Sequence, residues 1–289
     1  MMKRWGIIVA VALLLVACGQ PKQKVVVESD LPPVDFVVNP ADGIYKFGVE
    51  GSQAIEVMGT SMENFFRYKW RASNWKVEDD STRSADVRFT DVQATERRGQ
   101  TAAPEPIASY DRLENFSTRY RLDREGFKPV SEPARDQEFM QAFSVLGQGL
   151  SSFDFETPEA PMRPGESWTV SMDPGELGPM SVAALDSTIH LTYVDNIKYE
   201  RSQCARVKVK VKIPLDGTME QGPAKSHITG SIESEATALY DLEKRFYVLV
   251  KQSSIMKITG QDFDADGKAL GGEKSFAQNG FFEITYLGR

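Results

Sequence analysis

The stretch RVKVKVKI at residues 206–213 has the pattern that decides the fold of this chain. Apolar and basic side chains alternate at every second position, which is the period of a β-strand. Clean alternation places one face of a strand in the protein interior and the other in water, as is usual in antiparallel sheets. The basic side chains Arg206, Lys208, Lys210 and Lys212 are therefore predicted to line a solvated sheet face.

The same strand period recurs along the chain from Gly43 onward. Alternating apolar runs occur at residues 45–49, 66–70, 116–122, 189–193, 246–250 and 282–286. Groups of turn-forming residues separate these runs, among them Arg124–Gly126, Pro214–Gly217 and Asp264–Gly267. We therefore predict a mainly β protein that is built on a large antiparallel sheet.

One segment has a helical period instead. Apolar residues recur at spacings of four, three and four at Phe139, Phe143, Leu146 and Leu150. Ser131 and Asp136 are the candidate N-cap residues. A helix and a sheet each have one apolar face to cover, so we expect a curved sheet, or half-barrel, with one packed helix and long loops. The proline-rich loop at 157–164 leaves open a division of the body into two sub-domains.

The amino-terminal residues 1–17 have the composition of a secretory signal peptide. Lys3 and Arg4 precede an uncharged apolar run that is shorter than the roughly 20 residues of a membrane-spanning helix. The sequence Leu15-Val16-Ala17-Cys18 at the end of this run resembles the bacterial lipobox. That resemblance implies cleavage before Cys18, attachment of acyl chains such as palmitate to this cysteine, and a membrane anchor.

The lipobox resemblance also predicts where the protein resides. Two or more acyl chains hold a protein stably on a membrane, whereas one chain does not. By analogy with Gram-negative sorting, Gly19 indicates the outer membrane, with the body facing the periplasm. We assign residues 18–42 to the lipidated cysteine and a flexible tether, and residues 43–289 to a β-rich domain.

The charge of the chain excludes one class of function. The sequence has 34 basic and 41 acidic residues, and removal of Lys3 and Arg4 with the signal peptide changes the net charge from −7 to −9. Nucleic-acid binding requires clusters of Lys and Arg, so an acidic body argues against it. Membrane attachment is accordingly expected through Cys18 rather than through a basic surface.

Catalytic motifs do not occur in the sequence. The two histidines, His190 and His227, have no second His or Cys at metal-ligand spacing, and no nucleophile elbow or phosphate-binding loop is found. We therefore expect a non-enzyme, with an unrecognised hydrolase as the remaining alternative, since a catalytic pair need not lie in a motif. Cys204 has no disulfide partner once Cys18 is lipidated, and we expect a buried, inert thiol.

A candidate metal site lies near the carboxyl terminus. The spacing of its residues resembles the EF-hand calcium loop, with ligands at Asp262, Asp264, Asp266, Lys268 (through its carbonyl) and Glu273. The flanking segments have the strand period rather than a helical one, which departs from that family. A solvated hairpin tip is therefore the alternative, because Asp-Gly is a favoured turn pair.

Two further clusters each have two interpretations. The first cluster is the basic row, which comprises Arg206, Lys208, Lys210 and Lys212. It could bind anionic headgroups, or it could pair across strands with Glu233 and Glu235 and be neutralised. The aromatic cluster could fill the core, or part of it could line a cavity for an acyl chain. Its members are Phe65, Phe66, Tyr68, Trp70 and Trp75.

The order of strands, one helix and further strands behind a lipobox resembles the half-barrel of the lipoprotein carrier and acceptor proteins of the Lol system. The stretch Pro164–Trp168 is also similar to one in uncharacterised secreted β-rich bacterial proteins. The first resemblance implies a concave apolar face that binds a lipid or another hydrophobic ligand without catalysis. The alternative is a structural or assembly partner that docks on another envelope protein.

Overall fold

The computed structural model describes residues 32–57, 59–79, 82–99, 101–123, 126–130, 136–147, 150, 158–171, 181–182, 188–221, 224–263 and 268–288. Within these ranges the helices are α1 (Ala108–Asp111) and α2 (Gln137–Gly147). The strands are β1 (Tyr45–Val57), β2 (Thr60–Val77), β3 (Arg83–Arg98), β4 (Glu105–Pro106), β5 (Ser117–Asp123), β6 (Gly126–Pro129), β7 (Ser167–Ser171), β8 (Ser181–Val182), β9 (Thr188–Tyr199), β10 (Ser202–Gln221), β11 (Ala224–Asp241), β12 (Phe246–Phe263) and β13 (Ala269–Gly288).

The 13 described strands form one antiparallel sheet. Its order is β6-β5-β3-β2-β1-β13-β12-β11-β10-β9-β7, with β4 beside β3 and β8 beside β10. Two meanders make up this order, one from β1 to β6 and one from β7 to β13, and the pairing of β1 with β13 joins them. The sheet is open rather than closed into a barrel, which confirms the predicted mainly β, antiparallel fold.

Alternating burial gives the sheet two distinct faces. In β1, for example, Tyr45, Phe47 and Val49 are buried, whereas Lys46 and Glu50 are exposed. The cross-strand register continues the buried side from strand to strand, and we call this side the inner face. Each predicted apolar run corresponds to a strand, so the period-two pattern located the strands correctly. In β12 the alternation of burial begins after Val250, because all five residues of the run 246–250 are buried.

The helix predicted from the spacing of apolar residues is α2. Its apolar residues Phe139, Phe143 and Leu146 are buried, and Asp136 caps its amino terminus, because the amide of Phe139 donates to Asp136 Oδ1 over 3.0 Å. The other candidate cap, Ser131, lies outside the described residues. In the described part of the chain, no helix has the length and apolarity that crossing a membrane requires.

The turn predicted at Pro214–Gly217 is wrong. Strand β10 continues to Gln221, with Pro214 opposite Ser231 and with Leu215 buried on the inner face. The described pairing of β10 with β9 ends at Val211 and Ile189. Pro214 lies between this pairing and the pairing of β10 with β8 at Gly217 and Thr218. A proline interrupts a sheet only where its missing N–H is needed for a ladder hydrogen bond.

Residues 32–42, which the sequence analysis assigned to the tether, lie against the sheet. Val34 forms an isolated antiparallel bridge with Met162, with N–O distances of 2.7 and 2.8 Å. At the other end of the segment, Arg83 donates to the carbonyl of Pro40 over 2.8 Å. This part of the segment is therefore ordered on the body. Residues 18–31 lie outside the described residues.

Candidate functional site

The inner face of the sheet is the candidate functional site. Long strands carry its apolar side chains, because β1, β2 and β10 to β13 each contain between 13 and 20 residues. Buried members from six adjacent strands include Val49, Tyr68, Val207, Ala238, Val250 and Ile284. An apolar surface of this extent is stable only when it is shielded from water, so its covering elements determine what it can bind.

Helix α2 covers the inner face over the first meander. The rings of Phe89 and Phe143 meet edge to face at 6.2 Å, and Phe116 packs on Phe139 at 5.1 Å. The hydroxyl of Tyr68 donates to the carbonyl of Leu146 over 2.7 Å, which satisfies an otherwise orphaned carbonyl in the last turn. The helix is thus fixed to the sheet by both apolar and polar contacts.

The amino-terminal segment covers the inner face over the second meander. Phe36 is 0% exposed, and its ring lies 5.2 to 5.4 Å from the rings of Trp168, Tyr193 and Tyr240. The hydroxyl of Tyr240 donates to the carbonyl of Val37 over 2.8 Å. Burial raises the pKa of Tyr240 to about 12, so this donor keeps its proton at neutral pH.

A row of polar residues crosses the inner face from β11 to β2. The cross-strand register places Ser234, Ser254, Gly280, Gln53 and Asn64 side by side on consecutive strands β11, β12, β13, β1 and β2. Gln252 lies two residues before Ser254 on β12, and Gln278 lies two residues before Gly280 on β13, so they lie in the rows on either side of this line. We call the six polar side chains, Gln53, Asn64, Ser234, Gln252, Ser254 and Gln278, the polar row. All but Asn64 are buried as whole residues.

Nε2 of Gln53 and Oδ1 of Asn64 are both buried without a hydrogen-bond partner. These atoms belong to polar-row residues that lie directly opposite one another in β1 and β2. An unsatisfied buried polar atom destabilises a protein by about 1–3 kcal/mol. A donor and an acceptor thus face the interior side by side, and a bound group could satisfy both.

The predicted aromatic cluster is divided between the two faces. Phe66, Tyr68 and Trp70 are buried on the inner face, and Trp70 stacks on Phe47 at 4.2 Å. Phe65 points outward and is 41% exposed. It lines an outer-face depression of about 400 Å³ together with Phe281, Glu50 and Arg67. Trp75 is partly buried beside the core.

Three of the four basic-row residues pair with carboxylates on neighbouring strands, and Lys208 lies opposite Thr237 and Thr192. Lys210 and Lys212 lie opposite Glu235 and Glu233, with N–O distances of 3.6 and 2.7 Å, as the pairing interpretation predicted. Arg206 instead forms two hydrogen bonds with Asp195 on β9, one of 2.8 Å. The carboxylates balance the positive charge of Arg206, Lys210 and Lys212, which an anion site would need.

The predicted calcium loop is only partly described. Asp264 and Asp266 lie outside the described residues, and the segments around them, β12 and β13, form an antiparallel hairpin. The carboxylate of Asp262 accepts from Ser226 Oγ over 2.6 Å and pairs with Lys274. Within the described ranges, no three His, Cys, Asp or Glu residues converge as metal ligands. Calcium binding at Asp262–Glu273 stays a prediction.

The two histidines lie on the protein surface, whereas Cys204 lies in the core. His190 is exposed on β9 as predicted, and His227 lies with Nε2 3.5 Å from an oxygen of Asp216 on the surface. Cys204 is buried, and burial raises the pKa of its thiol to about 12. The residue predicted to carry the acyl chains, Cys18, lies outside the described residues.

Sequence reasoning missed the polar row. The signal was nevertheless present, because Gln53, Ser254 and Gln278 each occupy an inner-face position in an alternating strand. A polar residue at a position where the pattern predicts an apolar one indicates a functional role rather than core packing.

The fold and the inner face define a class, the large open antiparallel sheets with a buried apolar side. No protein-family model matches the chain, and none of the curated proteins matches it in sequence. A solved structure described as lipid–protein interactions in lipovitellin is similar, with a TM-score of 0.50 and 10% identity. The alignment covers 86% of this chain and 26% of that one, so this chain spans about a quarter of the lipovitellin chain.

A second solved structure is a DUF1329 family protein from Desulfovibrio piger ATCC 29098. It aligns over 84% of this chain and 87% of that chain, with 5% identity and a TM-score of 0.13. A TM-score this low supports no shared architecture. Of these two structures, only lipovitellin is similar enough to show the fold, a large open antiparallel sheet.

Proposed function

We propose that this protein is a membrane-anchored lipoprotein whose body binds a lipid or another hydrophobic ligand without catalysis. The observation that carries the proposal is the buried inner face, an apolar surface that extends across β1, β2 and β10 to β13. Ligand sites of this kind are mostly apolar and contain a few placed polar groups. The polar row supplies such groups at the middle of the face.

The fold supports the same proposal at a coarser level. The solved structure of lipovitellin, which has a similar sheet, is described by its lipid–protein interactions. We extend hydrophobic-ligand binding to this chain because its inner face is largely apolar and shielded from water. A sheet that is open at β6 and β7 can adapt its curvature to a ligand more readily than a closed barrel can.

The anchor is part of the proposal. We expect the mature chain to begin at Cys18, with acyl chains on that residue, and to sit on the outer membrane facing the periplasm. The test is the mass of the amino-terminal peptide from the protein purified from membranes. A triacylated peptide that starts at Cys18 supports the anchor, whereas an unmodified cysteine or a different first residue contradicts it.

Native mass spectrometry of the full chain purified from membranes tests ligand binding. We expect a co-purified lipid mass that disappears in Ala236→Trp, which fills the inner face of β11. Thr237→Trp is the matched control, because Thr237 is the next residue of the same strand and faces outward. Retention of the lipid by both variants, with folding intact, would contradict an inner-face site.

The second candidate function is an assembly partner, and the outer-face depression favours it. Phe65 and Phe281 line this depression of about 400 Å³, beside the Arg67–Glu50 ion pair at 3.0 Å. Aromatic side chains and arginine are enriched in protein–protein interfaces. A clean mass without lipid, together with a stoichiometric protein partner that is lost in Phe65→Ser, would favour this function over the first.

A further inference from the structure

The buried polar residues of this protein belong to two groups. Nine polar or charged residues are buried in the described part of the chain, and five of them are members of the polar row. The other four each bond a charged partner: Ser84 with Arg119, Asp195 with Arg206, Ser226 with Asp262 and Asp241 with Lys244. Those four are explained by local ion pairs and turns, whereas the polar row lies in the middle of the apolar inner face.

From this placement we infer that the polar row binds an uncharged, hydroxyl-bearing head of an amphiphilic ligand. The inference rests on the proposed function, which supplies the apolar part of the ligand. A hydroxyl group both donates and accepts a hydrogen bond. It can accept from Nε2 of Gln53 and donate to Oδ1 of Asn64, and thereby satisfies the two unpartnered atoms that lie opposite one another.

The electrostatics of the row select against a charged head. A carboxylate only accepts hydrogen bonds, so it would leave Oδ1 of Asn64 unsatisfied. The charged groups next to the row are Glu96, opposite Asn64, and Arg98, opposite Met62. These two side chains bond to each other, so the guanidinium is already neutralised by a carboxylate. Burying an unpaired headgroup charge would be far more costly than burying a hydroxyl group.

The rows on both sides of the polar row are mostly apolar and accommodate the hydrocarbon part. On the side towards the β1–β2 turn, the adjacent row contains Ile213, Ile232, Met256, Ile55 and Met62, with Gln278 as its polar member. On the opposite side it contains Val209, Ala236, Phe282 and Phe66, with Gln252 as its polar member. Adjacent rows are about 7 Å apart along the strands, so a chain that leaves the hydroxyl meets apolar side chains within its first few carbons.

Photo-crosslinking with a matched pair of probes tests the inference. The probes are hexadecanol and hexadecane that carry the same diazirine, applied to the full chain held in an amphipathic polymer. Crosslinked peptides give the location, and the yield against probe concentration gives an apparent Kd. The variants are Gln53→Leu and Asn64→Leu, which are assayed independently so that one still serves if the other does not fold. Gln93→Leu, the same change as Gln53→Leu on the exposed outer face of β3, is the control.

We expect both probes to crosslink to inner-face strands, with hexadecanol binding more tightly. Gln53→Leu should raise the Kd for hexadecanol about tenfold, the equivalent of about 1.4 kcal/mol, and leave that for hexadecane unchanged. A diazirine-bearing palmitate should bind more weakly than the alcohol. Gln93→Leu should change neither value.

The outcomes separate the two proposals. If hexadecane binds the inner face but Gln53→Leu and Asn64→Leu leave the alcohol unaffected, the polar row has no role and ligand binding stands. Tighter binding of palmitate than of the alcohol would likewise overturn the assignment of an uncharged head. If neither probe crosslinks to the inner face of the wild type, the proposed function fails together with this inference.

Discussion

The ring of Phe66 occupies the space beside Gly51, its cross-strand partner in β1. A Cβ atom at position 51 would lie 2.1 Å from Cε2 of Phe66 and 2.9 Å from the carbonyl oxygen of Phe281. Both distances are shorter than van der Waals contact allows. The aromatic ring therefore packs directly on the glycine backbone, an arrangement that shields a strand glycine from solvent.

Gly51→Ala should consequently lower the free energy of unfolding by about 1–3 kcal/mol, because the added methyl group forces the Phe66 ring to move. In a Phe66→Leu background the same substitution should have a smaller effect. Urea unfolding of the four proteins measures this double-mutant cycle. Gly48→Ala on the same strand is the control, since its Cβ would meet Leu287 at 3.4 Å, an ordinary contact. Equal effects of Gly51→Ala in both backgrounds would rule out the ring as the cause.

Phe36 should be a major contributor to stability although it lies outside the sheet. Its ring is buried among Trp168, Tyr193 and Tyr240, so Phe36→Ala should lower the free energy of unfolding by about 3–5 kcal/mol. The adjacent Val37 is 41% exposed, and Val37→Ala should have little effect. Chemical unfolding followed by tryptophan fluorescence compares the two variants. Similar small effects would mean that the segment does not pack on the body in solution.

Cys204 should be unreactive in the folded protein. Burial, the largest cause, raises the pKa of its thiol to about 12, and the nearby Asp241 carboxylate acts in the same direction. The thiolate is the reactive species, so an aromatic disulfide reagent at pH 8 should modify Cys204 only after denaturation. The experiment uses wild type and Cys204→Ser. Rapid modification of native wild type at this position would contradict the buried site.

Asp136 should contribute to stability in a defined acidic range. Its carboxylate accepts hydrogen bonds from the Arg112 side chain, which has the larger effect, and from the amide of Phe139. These bonds lower the pKa of Asp136 from 3.8 to about 2. Because the pKa is lower in the folded state, the stabilisation is present above pH 3.8 and is lost as the pH falls towards 2. We expect the thermal midpoint of wild type to fall more steeply between pH 4 and 2 than that of Asp136→Asn, which can cap the helix but does not titrate. Parallel pH profiles would contradict this assignment.

The sequence determined the elements of this fold with local information alone. The alternation of Val207, Val209 and Val211 with lysines predicts a strand with one buried face, because side chains of a strand alternate between faces. The spacing of Phe139, Phe143 and Leu146 predicts α2 for an equivalent geometric reason, whereas the fourth predicted position, Leu150, lies beyond the end of the helix at Gly147. Pairing of Lys212 with Glu233 could also be predicted, since opposite charges on solvated faces favour neighbouring strands.

Tertiary structure alone decided which strands are neighbours and what covers them. The pairing of β1 with β13 joins residues more than 200 positions apart, and no local period encodes such a contact. The same holds for Phe36, whose burial among Trp168, Tyr193 and Tyr240 depends on residues more than 100 positions away. The polar row likewise exists only in register, because Gln53, Ser254 and Asn64 become neighbours through hydrogen bonds between strands. Sequence period specifies which face a side chain occupies, whereas long-range packing specifies what lies beside it on that face.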